Sequence, residues 1–522
     1  MPKILLITAD QWRGDSLSRL GHPCVRTPNL DALAADGMQF TQHFTQCTPC
    51  GPSRASLHTG MYLMNHRSTS NGTPLASRFT NSALELRKLG IRPAVIGYTD
   101  TSVDPDGYSP GDAALHTYGS VLPGFEQLVP ESEGPVAWVN FLRAQGYDFA
   151  VATHHEDEPD VFDPDPGYSR PKDRGPTFAP ARYPAELSDT AFSVNHAIDY
   201  LRGHAGQDWF LHLSLLRPHP PFIAPAPYHD MYAPTEGPAF KRHPSASDEV
   251  AQHPFFAFGQ KLADGYRSRS GNDMHSEDDQ RQLRATYWGM VSEVDANLGR
   301  LFSALRQTGD YDDTLIVFTT DHGEQLWDHW WIGKQSCFEQ TFHIPLIIRA
   351  PGTPAAARGS TVQHFTEAVD IVPTLCEHAG LDIPAQCDGE ALTPWLAGDT
   401  PSRWREHAFY ELDFRDIVGK SSEQFFNIDM ESCNFAVLRG ERYKYVHFPT
   451  LPALLYDLEN DPDELNNLAE DPDYAKVMLN CAQKLLSHRM RHADRSLSGT
   501  LLTRKDGLVH ADESRRRTVL TD

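Results

Sequence analysis

The sequence predicts an α/β protein: a large, mainly parallel sheet sandwiched by helices, followed by a smaller α+β C-terminal domain. Three observations carry this. Short uninterrupted apolar runs recur through the first two thirds of the chain, the pattern of strands covered on both faces. Helical patterns alternate with them, the order that builds a parallel sheet. After residue 385 the apolar runs become shorter and more closely spaced.

The first run, 3–8 (KILLIT), is the first strand. A helix over 29–37 starts after Pro28 and stops on Gly37, the usual asymmetry of helix ends. A helix over 82–89 leads to a strand at 94–96, and one over 191–202 to a strand at 209–214 (WFLHLS). The longest helix, 281–305, carries Tyr287, Met290, Val291, Val294, Leu298, Leu301 and Phe302 on one stripe, which faces a core. Runs at 314–319 (TLIVFT) and 344–348 (IPLII) are further strands of the same kind. Segments 102–190 and 215–280, rich in Pro, Gly, Asp and His, read as long excursions over the carboxyl edge of the sheet, where length suggests function. Beyond them come short strands at 408–411, 435–439 and 443–448 and a helix at 474–491. The expected division is a large α/β domain over 1–384, a small α+β domain over 385–494, and a tail over 495–522 that packs on a neighbouring subunit.

Composition narrows the function classes. The 522 residues suit two or three cores of about 100–200 residues each. Lys and Arg number 46 against 70 Asp and Glu, for a net charge of −24. Such a balance argues against nucleic-acid or membrane-surface partners, and an anionic substrate would then require local positive charge, such as a metal. Eight cysteines at irregular spacing are not a disulfide scaffold and suit reduced thiols. The N-terminal apolar run is shorter than the roughly 7–15 residues of a secretory h-region, and nothing approaches the roughly 18 of a membrane span. These features predict a soluble, cytoplasmic protein.

Candidate chemistry gathers where strands end, the edge at which open α/β sheets bind ligands. The first strand runs into Asp10 and Gln11, and the strand 314–319 into Asp321, His322, Gly323 and Glu324. Oxygen donors with one histidine suit Mg²⁺, Ca²⁺ or Mn²⁺, although each acid alone could equally cap the turn that follows it. A second signal is the segment 47–60, CTPCGPSRASLHTG. Its Cys47-x-x-Cys50 could be a redox pair, half a zinc site, or buried structural thiols. None of these explains the Pro-x-Arg that follows.

Cys50-Gly51-Pro52-Ser53-Arg54, followed by Leu57-x-Thr59-Gly60, resembles the Cys-x-Pro-x-Arg signature of type I sulfatases, in the alkaline phosphatase superfamily. The resemblance implies that a maturation enzyme oxidises Cys50 to formylglycine, whose hydrated aldehyde is the nucleophile. It implies one divalent metal held by Asp10, Gln11, Asp321 and His322 together with modified Cys50. Arg54 would hold the diol, Lys334 the anionic oxygens of the substrate, and His219 would stand near the leaving group. The chain is similar in particular to the branch of phosphonate monoester hydrolases and their arylsulfatase relatives, on Asp10-Gln11 in place of a double aspartate and on segments 62–67, 217–222, 293–295, 321–325 and 441–448. This similarity runs from the first strand to about residue 494. It places Asn71 and Tyr98 in the substrate pocket.

One position departs from that pattern. Phosphonate hydrolases carry a threonine two residues after the pocket tyrosine, where this chain has Asp100. A register slip would bring Thr99 or Thr101 there instead. The resemblance implies an arylsulfatase that also takes phosphonate monoesters and phosphodiesters. Its alternatives are a chain that is primarily a phosphonate monoester hydrolase, a metal-dependent phosphodiesterase with an unmodified Cys50, and an inactive binding protein on the same scaffold. Its partners would be a small anionic ester, the maturation enzyme, and further copies of itself in a symmetric homodimer or homotetramer.

Overall fold

The computed structural model describes residues 2–117, 119–130, 135–150, 160–165, 167–269, 276–494 and 498–510. In chain order the strands are β1 (Lys3–Ala9), β2 (Met38–Phe44), β3 (Cys47–Thr48), β4 (Ala94–Ile96), β5 (Glu126–Val129), β6 (Trp209–Leu215), β7 (Thr314–Thr319), β8 (Leu346–Arg349) and β9 (Ser360–Glu367). They are followed by β10 (His407–Asp413), β11 (Asn434–Gly440), β12 (Tyr443–His447), β13 (Leu454–Asp457), β14 (Thr500–Thr503) and β15 (Gly507–His510).

β1 lies inside an eight-stranded sheet ordered β5-β4-β6-β1-β7-β8-β2-β9. It pairs in parallel with β6 on one side and β7 on the other, so Thr8 stands beside both Ser214 and Thr319. Every β1 residue from Ile4 to Ala9 is buried, as a strand flanked by strands and covered on both faces requires. The sheet is therefore mainly parallel, as the apolar runs predict. The exception is the run read at 344–348, whose strand β8 is antiparallel to both β7 and β2. Between β7 and β8 the chain makes a loop on the carboxyl edge containing only a 3-10 turn, Asp328–Trp330, and a short helix, Glu339–Phe342. Re-entering from the edge it left, it can only run back antiparallel, since a parallel return needs a crossover.

The helix read at 281–305 spans Glu277–Gln307, opened by a capping box between Ser276 and Asp279. Its apolar stripe, including Leu298, is buried, and it packs on the sheet together with the helices Asp189–Gly203 and Pro28–Asp36.

A second sheet, ordered β13-β12-β11-β10-β3, holds the C-terminal strands. Its last strand is the two-residue β3, pairing Cys47 with Glu411 and Thr48 with Leu412 in parallel. The residues directly before the Cys50 signature are thus joined to a strand 364 residues later in the chain (Cys47 to Glu411). The helix Ala475–Arg491 is tied back: Arg489 bonds Glu411 at 2.5 Å, while the other Glu411 oxygen accepts from the Met64 amide at 3.0 Å. Of the tail, residues 495–497 and 511–522 lie outside the described residues. The hairpin β14–β15 forms a sheet of its own.

Leu298 is fully enclosed, so Leu298→Ala should destabilise the fold by about 2–5 kcal/mol through lost burial and a residual cavity. Denaturant unfolding followed by tryptophan fluorescence measures this directly.

Candidate active site

β1 and β7 end side by side, and their first loop residues converge. Asp10 remains bonded to the sheet through its amide, 3.0 Å from the Leu215 carbonyl. Gln11 adopts a left-handed backbone with φ 67°. The turn is held on two sides: its amide donates to Asp321 Oδ1 at 3.1 Å, and its carbonyl accepts from the Tyr287 hydroxyl at 2.9 Å.

Cys50 opens the helix Cys50–Thr59. The Gly51 amide donates to Asn71 Oδ1 at 2.9 Å. A Cβ at Gly51 would lie 2.8 Å from the Asp100 carbonyl oxygen, so only glycine allows that loop to come so close. Arg54 follows one turn later on the face of Cys50. It is fully buried and spans the two carboxylates, with Nε 2.9 Å from Asp321 Oδ2 and Nη2 3.0 Å from Asp10 Oδ2. Its Nη1 donates to Ser214 Oγ at 2.7 Å and to the Tyr98 carbonyl at 3.2 Å. Tyr98 stacks on the guanidinium at 4.2 Å and donates its hydroxyl to Asp10 Oδ2 at 2.6 Å.

Ligand atoms of Asp10, Cys50, Asp321 and His322 lie within 4.8 Å of one another, all buried. His322 Nδ1 donates to the Gly323 carbonyl at 3.1 Å, which leaves the Nε2 lone pair facing Cys50 Sγ at 3.3 Å. A neighbouring bond that fixes the tautomer in this way is what a ligating imidazole needs. Lys334 Nζ caps the group, 2.8 Å from Cys50 Sγ and 2.9 Å from Gln11 Oε1. Two carboxylates and a neutral imidazole around one point, with the Gln11 amide oxygen on the same ammonium as Cys50, are the donor set of a hard divalent cation, and the residues present fit one.

Burial opposes ionisation of Asp10, but Lys334 and Arg54 outweigh it and draw the carboxyl down to about 2. Burial and the Asp10 charge push the Cys50 thiol well above its usual range. His322 is lowered by burial, which keeps it neutral.

The sequence-predicted residues Asp10, Gln11, Cys50, Arg54, Tyr98, Asp321, His322 and Lys334 come together, with Asn71 and Asp100 bordering them through Gly51. Asp100 has φ 50° and lies near enough for its charge to act on Cys50. Thr99 and Thr101 bond each other at 3.1 Å, and Thr99 also accepts from the Leu122 amide at 2.8 Å. Of the three, Asp100 is the one whose charge acts on Cys50. His219 lies on the same edge, in the loop after β6, with Nδ1 donating to the Pro220 carbonyl at 2.7 Å.

Sequence reasoning left two features without a role. One is buried Glu324, read only among the oxygens at a strand end, which accepts from Gln11 Nε2, from the Gly333 amide at 2.6 Å and from the Leu326 amide at 3.1 Å. The other is the segment before Lys334, where Leu326, Trp327, His329 and Trp330 all have positive φ. Asp328 holds it in place by accepting from Arg13 at 2.9 Å, Arg284 at 2.5 Å and the Lys241 amide at 2.7 Å. No spacing rule points to either feature, because the partners come from distant segments.

This combination of sheet, edge site and charge-balanced donor cluster is that of an ester hydrolase on the alkaline-phosphatase type of scaffold. The sulfatase family matches residues 2–381, and the N-sulphoglucosamine sulphohydrolase C-terminal family matches 327–491. The chain belongs to the sulfatase family. It is 42% identical to the multifunctional alkaline phosphatase superfamily protein PehA of Trinickia caryophylli, covering 95% of this chain and 96% of that one. It is 28% identical to an arylsulfatase of Clostridium perfringens over 93% of each. The phosphonate monoester hydrolase of Agrobacterium radiobacter superposes with a TM-score of 0.91 at 44% identity, covering 98% of this chain and all of that one.

Removing the guanidinium leaves two buried carboxylates uncompensated, so Arg54→Ala in metal-free protein should lose about 3–5 kcal/mol of stability. Unfolding in urea with a chelator present tests this, and added Mn²⁺ should restore part of the loss.

Proposed function

We propose that this chain is a metal- and formylglycine-dependent hydrolase of small anionic esters, aryl sulfates first, with phosphonate monoesters and phosphodiesters beside them. The observation that carries the reading is the buried convergence of Asp10, Cys50, Asp321 and His322 under the ammonium of Lys334. The net reaction is ester plus water to alcohol plus sulfate or phosphonate.

Asp10, Gln11, Asp321 and His322, with modified Cys50, would hold one Mn²⁺, Ca²⁺ or Mg²⁺ ion, which supplies positive charge and acidifies a nearby hydroxyl. Formylglycine made from Cys50 by a maturation enzyme would supply a hydrated aldehyde, whose hydroxyls would provide the nucleophile. Lys334 offsets the charge of the incoming ester monoanion. Arg54 holds one oxygen of each carboxylate, which leaves Asp10 Oδ1 facing the cluster while Asp321 Oδ1 takes the Gln11 and His322 amides. Asn71 and Tyr98 line the pocket for the transferred group. His219 protonates the departing oxygen, help typically worth about 10²–10⁴-fold.

A second reading, a primary phosphonate monoester hydrolase, is favoured by the 0.91 TM-score with the Agrobacterium radiobacter enzyme. Asp100 is the position that separates the two. Both esters bind as monoanions, so charge alone does not choose between them; what distinguishes the readings is that phosphonate hydrolases carry a threonine at this position.

Among the described residues no helix is long and apolar enough to cross a membrane. The eight free cysteines support a reducing, cytoplasmic setting. The exposed Leu501, Leu502 and Leu508 of the terminal hairpin, at 64%, 79% and 56% exposure, support a homodimer or homotetramer. A two-stranded hairpin is marginal alone and gains a core only against another surface.

Two measurements test this. With p-nitrophenyl sulfate and p-nitrophenyl phenylphosphonate as paired substrates, Cys50→Ala should abolish kcat/KM for both, and Asp100→Thr should shift the ratio towards phosphonate. Full activity of Cys50→Ala on either overturns the mechanism. Deleting 498–522 should lower the mass of the assembly in light scattering without changing the tryptophan spectrum.

A further inference from the structure

We infer that Glu324 is a positioning residue that fixes the polarity of the Gln11 side chain and, with it, the affinity of the site for its metal. This rests on the reading of Gln11 as a metal ligand. An amide has a donor end and an acceptor end, and only the oxygen can bind a cation. Nothing in Gln11 alone decides which end faces the cluster.

Two neighbours decide it together, the half-buried Lys334 and the buried Glu324. Lys334 can only donate, and its Nζ lies 2.9 Å from Gln11 Oε1. On the opposite side Gln11 Nε2 donates to Glu324 Oε2, a carboxylate that as an anion can only accept. Both demand the same orientation. Glu324 is committed to the accepting role, because its Oε1 takes the Gly333 amide at 2.6 Å and the Leu326 amide at 3.1 Å. Three N–H groups on two oxygens suit the carboxylate. The same side chain thus sets the metal-facing end of Gln11 and the backbone immediately before Lys334. Glu324 is wholly buried, so water cannot take over its role.

The polarity can be inverted by substitution. In Glu324→Gln, the carbonyl keeps the Gly333 and Leu326 amides and its NH₂ group then meets the NH₂ of Gln11. Two donors repel, the Gln11 amide turns over, and its oxygen leaves the cluster. Exchanging the pair, Gln11→Glu with Glu324→Gln, restores a donor at 324 and an acceptor at 11 while conserving total charge and side-chain size.

Mn²⁺ binding to the chelator-stripped chain is measured by calorimetry for wild type, Glu324→Gln and the exchanged double variant, with the metal-free Tm of each as the folding control. Loss of an outer-shell partner typically weakens metal binding about tenfold to a hundredfold, so Glu324→Gln should weaken by at least about tenfold and the double variant should return to within about threefold of wild type. If Glu324→Gln fails to fold, the double variant decides alone. Unchanged affinity in Glu324→Gln, or a folded double variant still about tenfold weak, overturns the inference and leaves the metal reading standing. Absence of Mn²⁺ binding in wild type overturns the metal reading, and the inference with it.

Discussion

The site depends on a single buried guanidinium. Asp10 and Asp321 arrive from different strands and lie close together with no solvent to screen them, an arrangement that costs several kcal/mol per ion if left alone. Arg54 resolves it by reaching one oxygen of each, at 3.0 and 2.9 Å. Its position is itself determined by the helix that begins at Cys50, since a spacing of four residues sets both on one face. The nucleophile candidate and the charge that gathers its neighbours are therefore placed by the same turn of helix. The Tyr98 ring covers the guanidinium, and Ser214 and the Tyr98 carbonyl take its Nη1 donors, so the ion pair is also hydrogen-bonded, the condition under which buried charge is tolerated.

That helix needs an anchor, and the second sheet provides it. By pairing Cys47 and Thr48 with β10, the C-terminal strands hold the chain immediately before Cys50. A cluster of Phe255, Phe338, Phe342, Phe414, Phe435 and Phe448 then fuses that sheet to the catalytic loops. The small domain is in this sense part of the site: loosening β10 would release the start of the signature helix.

The central strands and most of the site were legible in the sequence because they obey local rules. β1, β6 and β7 are unbroken apolar runs, and the residues that follow them must lie at the carboxyl edge. The rest was hidden for stated reasons. β2 (MQFTQHF) places Gln39 and His43 in buried positions where they read as polar. In β9 (STVQHFTE) three residues are exposed, because an edge strand need not look apolar. The reversal of β8 is invisible to periodicity, which records faces and not direction. Glu324 was read only as one of several oxygens at a strand end; its role follows from a neighbour 313 positions away.

The chain carries −24 overall, yet its site must receive anions. Near the cluster, the buried carboxylates Asp10, Asp321 and Glu324 face Arg54 and Lys334. A single divalent ion would make the local sum positive, and in a buried setting that local sum outweighs distant surface charge, which salt screens beyond about 10 Å. With Gln rather than an acid at position 11, one negative charge stands a shell further from where such an ion would sit, at Glu324. That displacement leaves more net positive field at the point where an ester monoanion would bind, while the hydrogen bond still carries the polarisation of the carboxylate to the ligand oxygen. Asp100 then acts on a field already biased towards anions. Its charge weakens that bias without closing the site to monoanionic esters.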